Sequence, residues 1–102
     1  MQTTHGILSA DYKVSGGKLL RVRLTLTTEE TYRFISSIKL TGDFFIHPED
    51  AIETLEDALT GIAYQEETIR NVVNTFYATG VEVLGAAPED LVHVILSAGS
   101  QS

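Results

Sequence analysis

The sequence predicts an α+β fold: a three-stranded antiparallel sheet, wound as a meander, with about three helices packed on one face. Three observations carry this. Leu20, Val22, Leu24 and Leu26 alternate strictly with Arg21, Arg23, Thr25 and Thr27. Ser15-Gly16-Gly17 and Thr28-Glu29-Glu30 flank that run with turn chemistry. Beyond Pro48, apolar residues return at helical spacing instead.

Residues 1–5 read as a loose tail. From Gly6 a first strand sets Leu8, Ala10, Tyr12 and Val14 on one face and Ile7, Ser9, Asp11 and Lys13 on the other. The Gly-Gly pair then supplies a hairpin turn. The second strand is the alternating run itself, with one face for the core and one for solvent or a partner. A third strand spans about Thr31 to Thr41, with Tyr32, Phe34, Ile38 and Leu40 inward and Arg33, Ser37 and Lys39 outward. Ile35 breaks that outward pattern, which marks it as a residue in contact with something.

The stretch Thr41-Gly42-Asp43-Phe44-Phe45-Ile46-His47-Pro48 joins sheet to helix. Gly tolerates positive φ, Asp can bond nearby amides, and two Phe rings offer an apolar anchor. Pro48 suits the first turn of a helix, and Glu49 and Asp50 suit its dipole. The first helix covers about Pro48 to Thr60, with Ala51, Ile52, Leu55, Ala58 and Leu59 as its stripe and Glu49, Glu53, Glu56 and Asp57 on its solvated side. Gly61 follows as the residue past its end. The second helix covers about Gln65 to Thr79, with Ile69, Val72, Val73, Phe76 and Tyr77 as its stripe. A third starts at Pro88, carries Leu91, Val92, Val94, Ile95 and Leu96, and stops near Gly99, leaving 99–102 as a second loose tail. Residues 1–102 thus read as a single domain, without internal repeats or a linker.

Composition removes whole classes of function. The chain has 102 residues, no cysteine and a net charge of −7. Zero cysteines removes disulfides, thiolate metal sites, persulfide carriage and Cys nucleophiles. The negative charge argues against a nucleic-acid partner, which needs a Lys/Arg surplus. No stretch approaches the ~20 apolar residues of a membrane span, and no signal peptide is visible, so a cytoplasmic location is expected. The charge is uneven. Residues 1–42 hold six cations against three acids, whereas residues 43–102 hold Arg70 against eleven acids. Each half simply solvating its outer face would account for this; a basic sheet face that meets an anion or an acidic partner would too.

Candidate chemistry is thin. Asp43 and His47 could pair for proton transfer, as a small hydrolase would need, but no nucleophile is fixed beside them. As turn and helix-start residues both are ordinary. His47, Asp50 and Glu53 share a spacing that could gather a metal, yet nothing completes the shell, so no metal site is expected. Gly16-Gly17-Lys18 is weak as a phosphate loop, lacking the Walker spacing and a following helix, and strong as a hairpin turn whose Lys could reach a ligand held elsewhere. Arg21, Arg23, Arg33 and Lys39 are expected to share the outward sheet face with Ile35. The residues alone therefore describe an accessory or binding module without a catalytic set.

Two blocks carry more. Lys13-Val14-Ser15-Gly16-Gly17-Lys18-Leu19-Leu20-Arg21-Val22, then Ile38-Lys39-Leu40-Thr41-Gly42-Asp43-Phe44-Phe45-Ile46-His47-Pro48-Glu49, with Ile52, Leu55-Glu56, Ala58-Leu59 and Gly61 behind them, resemble the C-terminal accessory domain of lipoate–protein ligases. The likeness spans roughly residues 12–61 and is closest to the archaeal type, in which this domain is a separate small subunit. The resemblance implies a heterodimer with a large subunit that holds ATP, Mg, lipoate and the catalytic Lys. It implies that the small subunit is non-catalytic alone and binds no cofactor by itself. It is needed to activate lipoate to lipoyl-AMP, matters less for passing the lipoyl group on, and meets the lipoyl-acceptor protein only indirectly. The interface candidates are Gly16, Gly17, Lys18, Arg21, Arg23, Gly42, Asp43, Phe44, Phe45 and His47. The alternative is a stand-alone ligand- or protein-binding module without ligase activity.

Overall fold

The computed structural model describes residues 2–4, 6–14, 16 and 18–100. The expectations placed on Met1, His5, Ser15, Gly17, Gln101 and Ser102 lie outside the described residues.

β3 (Leu19–Glu29) is the central strand. β4 (Tyr32–Gly42) pairs along one edge of it, and β1 (Gln2–Thr4) and β2 (Leu8–Lys13) lie end to end along the other, all antiparallel. The three-stranded meander therefore stands, with its first strand in two pieces. Residues 2–4 are not a loose tail: Gln2 pairs with Glu29, Thr3 with Thr28 and Thr4 with Thr27. The long β3 leaves backbone donors and acceptors beyond the reach of β2, and β1 takes them.

Alternation decides what β3 buries. Leu20, Val22, Leu24 and Leu26 are each at most 1% exposed. On β4 the expected alternation fails midway. Thr25 pairs with Ser37 but Leu26 pairs with Ile35, so Ser36 is an extra residue in a β-bulge. The Thr25 hydroxyl lies 2.8 Å from the Ser36 hydroxyl and 2.7 Å from that of Ser37, which ties the bulge to β3. One inserted residue exchanges the faces beyond it. Ile35 becomes core at 0% exposure, together with Ile38 and Leu40. Tyr32 and Phe34, expected inward, pass to the open face, where their rings stack with centroids 5.7 Å apart. Arg33, expected beside Arg21 and Arg23, instead lies over the Tyr64 ring at 5.2 Å.

α1 (Ala51–Leu59), α2 (Glu66–Tyr77) and α3 (Pro88–Ser100) cover the other face, α3 against β2 and β3 and α1 against β4. α1 begins three residues later than the sequence suggests, because Phe45–His47 forms a short strand, β5, and Pro48 and Asp50 make a turn before the helix. β5 pairs with β6 (Glu82–Leu84), a second small sheet absent from the sequence expectation. Pro88 does open α3, and the Ala87 amide donates to the Asp90 carboxylate at 2.8 Å, half of a capping box.

Two corrections concern residues read as surface or tail. Glu56 is not part of the solvated side of α1: it is 8% exposed, and its carboxylate accepts the Leu40 amide at 2.7 Å. The 61–64 linker finishes the same edge: Ile35 donates to the Ile62 carbonyl at 3.0 Å, and Tyr64 donates to the Arg33 carbonyl at 2.9 Å. The exposed edge of β4 is thereby closed to another strand. Gly99 does not stop α3. A Cβ there would collide with the Tyr64 ring, and the Gly99 amide donates to the Tyr64 hydroxyl at 2.8 Å. That hydroxyl also lies 2.6 Å from the Ile95 carbonyl oxygen, so the last turn is held against the linker.

Candidate functional site

The two sequence blocks meet at the start of β3. The β2–β3 hairpin is closed by the Val14 amide donating to the Lys18 carbonyl at 2.7 Å. Gly42, at the end of β4, crosses so close to Leu19 that a Cβ would collide with the Leu19 carbonyl oxygen. The next residue, Asp43, donates its amide to that same oxygen at 2.8 Å. Residues far apart in the chain are thus fastened at one point. They line a cleft of about 470 Å³ formed by Gly16, Lys18, Gly42, Asp43, Phe44 and Phe45.

The β5–β6 ribbon projects beside this cleft. Phe45 pairs with Leu84, Ile46 with Val83 and His47 with Glu82. Alternation turns Ile46 and Val83 inward onto the core and leaves the other side chains outside. Phe45 is 75% exposed and Leu84, directly opposite, is 66% exposed. The two side chains thus form an exposed apolar pair on the outer side of the ribbon. Phe45 was legible as an aromatic anchor, though the expectation was that it would be buried. Leu84 was missed. The signal was the alternation Val81-Glu82-Val83-Leu84 between Gly80 and Gly85, short enough to pass as loop.

The other candidates divide. His47 sits on the outer side of the ribbon opposite Glu82, and it does not line the cleft with Asp43. No hydrogen bond joins Asp43 to His47 among the described residues, so the acid–imidazole pair needed for a hydrolase is not assembled. Among the described residues no three His, Asp or Glu side chains gather as metal ligands. Arg21 and Arg23 lie away from the cleft on the open sheet face, where Arg21 Nε donates to Asp11 at 2.9 Å and Arg23 stands opposite Lys39. A larger groove of about 660 Å³ runs between α1 and α2 past Ala58, Val72 and Phe76. No helix among the described residues is long and apolar enough to cross a membrane.

The cleft can do limited chemistry. Among the described residues that line it, the cleft presents one ammonium, one carboxylate, two Phe side chains and turn backbone. Such a site can bind or neutralise an anion presented by another molecule.

Comparison with known proteins places this architecture. Residues 9–95 match the family model described as bacterial lipoate protein ligase C-terminus. Lipoate-protein ligase A subunit 2 of Thermoplasma acidophilum is 38% identical over 93 residues, covering 91% of this chain and 92% of that protein. A chain in the solved structure of an archaeal lipoylation system, comprising a bipartite lipoate protein ligase and its E2 lipoyl domain from the same organism, superimposes with a TM-score of 0.68. That match is 34% identical and covers 93% of this chain and 97% of the other.

Proposed function

The chain belongs to the lipoate protein ligase C-terminal family, and from that membership we propose that it is the accessory subunit of a two-chain ligase. With its large catalytic partner it promotes ATP-dependent activation of lipoate to lipoyl-AMP, the step before protein lipoylation. The observation that carries this reading is the extent of the match: it runs through 92% of a relative that is itself the second subunit of such a ligase.

The geometry supports an accessory role. Lys18 offers a mobile cation in the cleft, suited to a phosphate group held by the partner. Phe45 and Leu84 offer the apolar contact that a lasting subunit interface requires. ATP, Mg and lipoate are held by the large subunit in this scheme, and the cytoplasm is where ATP is at hand. Lys18 then stabilises anionic charge at a junction completed only when the two chains meet.

Reconstitution tests the reading. Large subunit, ATP and lipoate are mixed with and without this chain, and lipoyl-AMP is measured. Adenylate formation should depend on the chain, and Lys18→Ala should slow it by at least on the order of tenfold, within the range for loss of one charge-stabilising donor. Equal rates without the chain would end the accessory proposal; an unchanged rate with Lys18→Ala would remove Lys18 alone.

A further inference from the structure

The sheet face turned away from the helices is basic, on a chain whose net charge is −7. Lys13, Arg21, Arg23 and Lys39 are exposed around the β2–β3–β4 register, with Asp11 among them. Asp11 is already engaged by Arg21 at 2.9 Å. Arg23 stands directly opposite Lys39 on β4 and opposite Ser9 on β2. Like charges in direct cross-strand register weaken the pairing they sit on. Lys39 finds partial relief, with its Nζ 3.8 Å from the Glu56 carboxylate, a group whose other oxygen serves the Leu40 amide. Arg23 has no acidic partner among the described residues. Beside these two cations is a depression of about 220 Å³, lined also by Thr25, Ser37 and Ile7. Ile7 is 65% exposed and supplies an apolar contact within the charged field.

Under the ligase reading the large subunit is this chain's direct partner and the acceptor protein one it meets only indirectly. A direct contact with the acceptor goes beyond that reading, and the two proteins make opposite demands on a surface. The large subunit must stay, and the apolar Phe45–Leu84 pair suits a lasting contact. The acceptor protein must arrive, react and leave in every cycle. Charge complementarity suits that traffic, because it accelerates encounter while leaving the complex easily broken. We propose that the Arg23–Lys39 face docks the acceptor protein through an acidic surface on that protein. The face gathers acceptor toward the large subunit and takes no part in the transfer chemistry, so its effect shows when acceptor is limiting. A nucleic acid is the less favoured occupant, since the helical half, with eleven acids against Arg70, repels a polyanion.

The inference rests on the ligase reading, and one experiment separates the two. The reconstituted two-chain ligase is assayed against its acceptor protein with wild-type chain and with the double variant Arg23→Glu, Lys39→Gln. At low salt the KM for acceptor should rise on the order of tenfold, with kcat at saturating acceptor retained. The difference should shrink as added salt screens the face. Lipoyl-AMP formation is read in the same mixtures: its independence of the wild-type chain would sink the ligase reading, whatever the acceptor does. Adenylate formed normally, with an acceptor KM indifferent to the double variant at low salt, would overturn the docking proposal alone. Capture of a single-stranded RNA oligonucleotide by the wild type and not by the variant would also overturn it, by giving the face to nucleic acid.

Discussion

The β3–β4 pair joins two strands of eleven residues and buries its helix-facing side chains, whereas the β5–β6 pair joins two of three and leaves Phe45 and Leu84 in solvent. Both are antiparallel ladders, and the same period of two decides what each side chain faces. They differ in what lies against them. The long pair has helices over one face, so its alternation becomes a core. The short ribbon is covered on its inner side through Ile46 and Val83 and has nothing over its outer side. An isolated two-stranded ribbon this short has little stability of its own. Here the body of the protein holds it in place, at the rim of the cleft containing Lys18. One pairing makes the fold, and the other is displayed by it.

That contrast can be broken experimentally, beginning where the effect is greatest. Leu24→Ala empties a position 1% exposed in the middle of β3, and should cost about 2–5 kcal/mol in urea unfolding followed by circular dichroism. A loss no larger than that of a surface substitution would show that β3 is not the centre of the core. Glu56→Ala leaves the Leu40 amide on the β4 edge without its 2.7 Å acceptor and should cost about 1–3 kcal/mol. Glu56→Gln keeps an oxygen there and should recover part of the loss; equal losses for both would assign the effect to something other than that hydrogen bond. Least affected should be the ribbon. Phe45→Ser combined with Leu84→Ser should change stability by no more than about 0.5 kcal/mol, as for exposed positions. The same double variant should weaken co-elution with the large subunit. A large stability loss would make the ribbon a structural element and remove the contrast.

Much of the fold was legible because local patterns and tertiary demands agree. The Leu20–Leu26 alternation reads correctly as a strand that buries its leucine and valine face. The helix expected over Pro48–Thr60 forms from Ala51 and buries Leu55 and Leu59 of its expected stripe, while Ala58 stays exposed. Of the stripe Ile69, Val72, Val73, Phe76 and Tyr77, Ile69, Val73 and Phe76 are buried and Val72 and Tyr77 half-buried. The exceptions have identifiable causes. Ile35 showed as a break in the β4 pattern, but nothing in Ser36-Ser37 says that a bulge absorbs it. Tyr32, Phe34 and Arg33 were therefore assigned to the wrong faces. Glu56 looked like any acid on an amphipathic helix; it is buried because a strand edge reaches it with an unpaired amide. Gly99 resembled a helix stop and is instead the space into which Tyr64 packs.

The candidate site shows the same division. Gly16, Lys18 and Gly42 to Phe45 were nameable from their residue types and from the family they resemble. Their convergence depends on the Leu19 carbonyl, which receives Asp43 and excludes any side chain at position 42. Arg21 and Arg23 belonged on paper to the same group, and the register sent them to the open sheet face.

By itself the sequence determined the meander, the three helices and the split of charge between the two halves. Those properties are local: they follow from spacing, turn residues and counting. Only the tertiary structure decided the faces of β4, the burial of Glu56, the exposure of Phe45 against Leu84 and the placing of Arg23 across from Lys39. Each of these depends on which strand or helix lies alongside, and so on distances between residues that chain order does not encode.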